Sequence, residues 1–147
     1  MEIILAKSAG FCFGVRRATQ MAFEAASKHE NICSLGPVIH SPQVVKGLAT
    51  QGVKVVSKVE DIPPGSVIVR SHGITSEEME KIHESNLTIV DATCPFVKKA
   101  QEYAARLSDE GYTVVMVGEM EHPEVQGIGS YAGRARVHVT AGANKES

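Results

Sequence analysis

The sequence predicts an α/β fold, with mostly parallel sheets flanked by helices. Short β-branched runs alternate with longer stretches whose apolar residues recur at intervals of three and four, the helical period. Two of the short runs, Val67-Ile68-Val69 and Val114-Val115-Met116-Val117, are apolar at every position, as strands covered by helices on both faces must be. The stretches between strands have the length of the helical crossovers that join parallel neighbours.

Taken in order, Ile3 to Ala6 reads as a first strand. A helix follows from Gly14 to about Lys28, with Val15, Ala18, Ala22 and Ala25 on one face. Asn31 and Gly36 bracket a brief run, Ile32 to Leu35. Ser41 caps the next helix, Pro42 suits its first position, Val44, Val45 and Leu48 form its apolar side, and Gly52 ends it. Val53 to Val56 is the following strand. The segment Asp61-Ile62-Pro63-Pro64-Gly65 is a turn, because two prolines fix the backbone and remove donors. Val67 to Val69 then reads as a central strand. Ser76 with Glu77 and Glu78 suits a helix start, where a hydroxyl meets unpaired amides and acids meet the positive end of the dipole. Leu87 to Val90 is another strand. Pro95 opens a helix whose inner face carries Val97, Ala100, Ala104 and Leu107, with Gly111 at its end. Tyr112 to Val117 is a strand, a short helix begins near Pro123, and Arg136 to Val139 is a last strand. The tail from Ala141 to Ser147 holds no element of useful length. A break near residues 91–95 separates a nearly complete α/β unit from a shorter second one.

The 147 residues suffice for one ordinary domain or two small units. Fifteen Lys and Arg against seventeen Asp and Glu give a net charge of −2, without the basic excess of a dedicated nucleic-acid binder. Arg16 and Arg17 are a short basic pair on a helix and do not change that. No apolar run nears the roughly 20 residues that cross a bilayer, and Ile3 to Ala6 is too brief for a signal-peptide core. The expectation is a cytoplasmic protein that binds neither nucleic acid nor membrane. Three cysteines without an export signal read as thiols or ligands rather than a disulfide scaffold.

Five reactive residues fall just after predicted strands: Cys12, His40, His72, Cys94 and His122. In parallel α/β folds, ligands collect at the carboxyl edge of the sheet. Any one of these residues alone is ordinary, the cysteines as buried small apolar groups and the histidines as surface residues or satisfied hydrogen bonders. Five equivalent placements point instead to a shared pocket. Thiolates are good ligands for iron or zinc. Imidazoles ligate metal, carry a proton or hold a phosphate, helped by the free amides of nearby helix N-termini. Two thiolates are an incomplete set for a conventional metal site. Cys33 lies inside an apolar run and reads as core. His29, His83 and His138 read as structural or exposed. Glu124, two residues after His122, is either a first-turn helix acid or a proton donor beside the pocket. Gly10, Gly14 and Gly73 are points of close backbone approach. Neither a GxGxxG nor a GxxxxGK[ST] nucleotide loop is present.

Gly10-Phe11-Cys12-Phe13-Gly14-Val15-Arg16-Arg17-Ala18, Val38-Ile39-His40, Ser71-His72-Gly73, Asp91-Ala92-Thr93-Cys94-Pro95 and His122-Pro123-Glu124-Val125 together resemble the 4-hydroxy-3-methylbut-2-enyl diphosphate reductase family, in the family's order and separations. The resemblance covers essentially the whole chain but only about the first half of a typical member. It implies the first module and part of a second from a three-module α/β architecture: residues 1–13 as an N-terminal strand and cluster-ligand loop, 14–92 as the first module and 93–147 as a truncated second. It implies an iron–sulfur oxidoreductase of isoprenoid biosynthesis that reductively dehydroxylates an allylic diphosphate to isopentenyl and dimethylallyl diphosphates. Cys12 and Cys94 match two of three cysteine ligands of a [4Fe-4S] cluster, and no residue here matches the third. His40, His72 and His122 match the histidines that line the diphosphate pocket, and Glu124 matches the acid of proton delivery. Ferredoxin or flavodoxin is the implied electron donor. A complementary C-terminal chain is an implied partner if the sequence is one part of a split enzyme. The competing classes are a non-catalytic iron-binding or assembly module that needs a partner, and a metal-free phosphate-binding protein.

Overall fold

A computed structural model describes residues 2–4, 6–7, 9–133 and 137–140, the last four by backbone only. Five helices and six strands alternate: α1 (Phe13–Lys28), β1 (Ile32–Leu35), α2 (Pro42–Thr50), β2 (Lys54–Val56), β3 (Ser66–Val69), α3 (Ser76–Glu84), β4 (Thr88–Asp91), α4 (Pro95–Asp109), β5 (Val114–Val117), α5 (Pro123–Tyr131) and β6 (Val137–Thr140). A single 3-10 turn, Val59–Asp61, precedes the Pro63-Pro64 turn. The expected α/β class and parallel sheets are what the chain adopts.

The larger sheet has the order β2-β1-β3-β4, and every pair in it is parallel. Its two inner strands, β1 and β3, are buried at all four positions. Because successive side chains point to opposite faces, each strand feeds two cores. On one face Ile32 and Ile68 pack with Ala18, Ala22 and Ala25 of α1 and Leu48 of α2. The alanines of α1 let that helix lie close to the sheet. On the other face Cys33, Leu35, Val67 and Val69 pack with Ile82 of α3. Cys33 is 1% exposed, and burial raises its thiol above the usual 9.0, so it is inert packing as expected. His29 Nδ1 pairs with the Ser66 hydroxyl at 2.9 Å, a structural role. His83 is exposed, and the side chain of His138 lies outside the described residues.

Several expectations change. Ile3, Ile4 and Ala6 are irregular backbone, with Ile3 75% and Ile4 82% exposed, and Leu5 lies outside the described residues. A strand exists through its ladder, and no described strand pairs with this segment. The helix start assigned to Ser76 shifts by one residue. Thr75 is the N-cap and closes a capping box, its hydroxyl accepting from the Glu78 amide at 3.2 Å while Glu78 Oε2 accepts from the Thr75 amide at 2.9 Å. Ser76 is thereby freed to tie α3 to α5: its amide donates to Ser130 Oγ at 2.9 Å and its hydroxyl to Ser130 O at 3.1 Å.

The inner face of α4 is Val97, Gln101 and Ala104, so a glutamine is buried where apolar periodicity favours Ala100 and Leu107. Finally, β5 pairs in parallel with β6 in a separate two-stranded sheet. Its burial alternates, leaving Val115 61% and Val117 76% exposed, because no described helix covers that side. The final strand is Val137–Thr140 rather than 136–139, with Arg136 and the tail outside the described residues.

Replacing Thr75 by Ala removes the cap of α3. It should lower unfolding stability by about 1 kcal/mol, read as a lower urea midpoint at unchanged slope, while Thr75→Ser keeps most of it.

Candidate functional site

In the order β2-β1-β3-β4, the connections leave β1 and β3 in opposite directions. A crevice therefore opens at their carboxyl ends, the position where ligands bind in open parallel sheets. His40 follows β1 and His72 follows β3, one on each side of that switch point. Their ring centroids are 4.7 Å apart at an interplanar angle of 44°. His122, the N-cap of α5, meets His72 edge-on at 6.2 Å and 79°. Residues 40, 72 and 122, far apart in sequence, form one cluster.

Backbone pairing beyond the strand ends holds the loops. The Ser71 amide donates to Val38 O at 3.0 Å, the Ala92 amide to Val69 O at 3.1 Å and the Cys94 amide to Ser71 O at 2.9 Å. The His72 loop is a tight turn: the Gly73 amide donates to Arg70 O at 3.0 Å and Arg70 Nε to Gly73 O at 3.2 Å. Gly73 has φ +73°, a left-handed conformation open to glycine without strain. A Cβ there would also lie 2.7 Å from Gln101 Nε2.

Cys12 and Cys94 are the N-caps of α1 and α4, and neither side chain makes a capping hydrogen bond. Each sulfur sits at a helix N-terminus, beside free amides and the positive end of the dipole. The Cys94 sulfur sits against the first turn of α1, where a Cβ on Gly14 would overlap it. Arg17 fastens the same junction, Nη1 donating to Thr93 O at 3.2 Å, which gives the second residue of the basic pair an internal role. Asp91 braces the Cys94 turn from behind: Oδ1 accepts from the Thr93 amide at 3.0 Å and Oδ2 from Lys98 Nζ at 2.7 Å. Burial alone would raise the Asp91 carboxyl, but the hydrogen bonds from Lys98 and Thr93 outweigh it and hold the group below its ordinary 3.8. Lys98 is correspondingly raised above 10.5.

The donor chemistry of Cys12 and Cys94, two soft sulfurs at neighbouring helix N-termini, fits part of an iron–sulfur ligand set. Among the described residues no group of three or more His, Cys, Asp and Glu side chains is placed to hold a metal ion. The histidine cluster is chemically different. Arg70 lies beside it, and the N-termini of α2 and α5 begin at Ser41 and His122, next to its rings. This combination of a cationic side chain, imidazole donors and free amides suits an anion. His122 Nδ1 accepts the Glu124 amide at 3.2 Å, so the neutral ring carries its proton on Nε2, where it can donate. Glu124 sits in the first turn of α5, partly buried. The sequence did not single out Arg70, Asp91 or Gln101. Only the third carries a legible anomaly, a long polar side chain on an otherwise small and apolar helix face.

Burial first, then the positive charges of His40, Arg70 and His122, hold the His72 imidazolium below its ordinary 6.5. The folded state therefore takes up this proton less readily than the unfolded state. The stability contributed by neutral His72 is complete above about pH 6.5 and is lost as pH falls through the lowered value. Denaturation between pH 7.5 and 5.5 should show a smaller pH dependence in His72→Asn than in the unsubstituted chain.

Among known proteins, residues 3–147 match the family described as LytB protein. The chain is 67% identical over 141 residues to the 4-hydroxy-3-methylbut-2-enyl diphosphate reductase of Syntrophotalea carbinolica, across 96% of this chain and 50% of that protein. It is 65% identical over 139 residues to the reductase of the same name from Geobacter sulfurreducens, across 95% and 49%. The solved structure of (E)-4-hydroxy-3-methyl-but-2-enyl diphosphate reductase superposes with a TM-score of 0.81 at 43% identity, over 96% of this chain and 51% of that one. The Plasmodium falciparum E-1-hydroxy-2-methyl-but-2-enyl-4-diphosphate reductase superposes at 0.88 and 28% identity, over 94% and 44%. The chain spans about half the length of the curated relatives it matches. With a family match over nearly all of its residues and relatives this similar, the chain belongs to the LytB protein family.

Proposed function

We propose that this chain carries the diphosphate-binding and part of the cluster-binding machinery of a 4-hydroxy-3-methylbut-2-enyl diphosphate reductase. The observation that supports this most is the convergence of His40, His72 and His122 at the sheet's switch point, beside Cys94. The relatives carry the same activity in their names. The module division at 1–13, 14–92 and 93–147 belongs to the same reading, and the two sheets lie on either side of residues 92–95.

The three imidazoles and the adjacent amides bind the substrate's diphosphate and fix its orientation, leaving the allylic end toward the cysteines. His122 donates from Nε2, because its Nδ1 is held by the Glu124 amide. Glu124 delivers a proton to the departing hydroxyl oxygen, which otherwise leaves as hydroxide. Overall, one C–O bond breaks and one C–H bond forms. Two electrons and two protons are consumed, and water leaves with isopentenyl or dimethylallyl diphosphate. Cys12 and Cys94 would hold a [4Fe-4S] cluster together with a third ligand that no residue of this sequence matches, and such a cluster supplies Lewis acidity and electrons when bound. Ferredoxin or flavodoxin is the electron source, and the protein works in the cytoplasm.

A second reading, an iron- or diphosphate-binding part that acts only with a partner chain, draws support from the incomplete ligand set among the described residues.

Anaerobic reconstitution with iron and sulfide, followed by metal analysis, tests the cluster. Iron and acid-labile sulfide in equal amounts, lost in Cys12→Ser and Cys94→Ser, are expected. Iron content unchanged by both substitutions overturns the cysteine assignment. Calorimetry with inorganic pyrophosphate tests the histidines: His72→Asn should weaken binding about tenfold or more, the loss expected for a charge-assisted hydrogen bond. Pyrophosphate binding without cysteine-dependent iron would leave a metal-free phosphate-binding module.

A further inference from the structure

Gln101 is 6% exposed, the one polar residue on the buried face of α4. Its amide occupies a slot made by two glycines from different elements. A Cβ on Gly73 would lie 2.7 Å from Gln101 Nε2, and one on Gly127 would lie 3.7 Å from the same nitrogen and 3.8 Å from His72 O. The amide donates to Ile74 O at 3.4 Å, two residues past His72. Three segments therefore meet at this side chain: the loop that carries His72, the helix capped by Cys94, and the helix capped by His122.

We propose that Gln101 is a positioning residue that sets the spacing of the histidine cluster by wedging α4 between the His72 loop and α5. An apolar chain of similar length would fill the slot but leave the Ile74 carbonyl without this donor. A shorter chain would let α5 and the loop close toward one another. In either case His122 moves relative to His72, since each ring is carried by a segment packed on the amide.

The consequence for binding rests on the diphosphate reading of the cluster, so the test has two independent readouts. Through-space NMR contacts between the His72 and His122 rings report spacing directly. Calorimetry with inorganic pyrophosphate reports function. In Gln101→Ala, the ring contacts should strengthen as the loop and α5 close toward one another, and pyrophosphate affinity should fall about tenfold as the rings lose the spacing that spans the anion. Gln101→Asn, which keeps the amide but shortens it by one methylene, should show a smaller change of the same kind and decides the matter if the alanine variant does not fold. A folded variant with a lower denaturation midpoint but unchanged ring contacts would overturn the proposal and leave Gln101 a structural residue only. If the unsubstituted chain does not bind pyrophosphate, the diphosphate reading fails, and the ring contacts alone still decide the role of Gln101.

Discussion

Hydrogen bonding in the parallel ladder does not stop where the strands stop. It runs on through Ser71 to Val38, Ala92 to Val69 and Cys94 to Ser71, so the loops that follow β1, β3 and β4 are extensions of the sheet rather than free connections. Much of the chemistry depends on this continuation. Two of the three histidines and one cysteine leave the sheet at its carboxyl edge, and their backbones are held by the same pairing that holds the core. The core in turn demands strands buried on both faces, which β1 and β3 supply with four buried residues each.

Helix termini add the second layer. The chain places a reactive side chain at or next to four helix N-termini: Cys12 before α1, His40 before Ser41 and α2, Cys94 before α4, and His122 before α5. The unpaired amides there favour negative charge in a bound anion. Close packing is the condition for these termini to meet. Gly14 admits the Cys94 sulfur against α1, and Gly73 and Gly127 admit Gln101 between the His72 loop and α5. Burial, with His40, Arg70 and His122 nearby, holds the His72 imidazolium below its ordinary 6.5.

The second sheet is under weaker constraint. β5 and β6 are a pair of parallel strands without further described neighbours, and the outward valines of β5 lie open. Parallel strands in larger sheets are covered on both sides, so the apolar composition of Val114 to Val117 anticipates a cover that the described residues do not provide. Its helix α5 is nevertheless firmly placed, because Ser130 bonds Ser76 twice and Gly127 packs on the His72 loop.

Periodicity alone marked the alternation of helices and strands, the central position of Val67 to Val69, and the strand-end placement of His40, His72, Cys94 and His122. These features depend on neighbours within a few residues, where the steric and capping preferences of the chain act directly. The N-terminal run Ile3 to Ala6 has strand composition without strand structure, because a ladder partner is not a local property. The cap of α3 passed from Ser76 to Thr75, since Glu78 closes the capping box with Thr75 and Ser130 claims Ser76. The distances within the histidine cluster, the contact of Cys94 with Gly14 and the wedge of Gln101 join residues tens of positions apart. Which residues could do chemistry was a matter of residue type and local pattern. Which of them meet was decided by strand order, because only the sequence of crossovers determines which loops share an edge of the sheet.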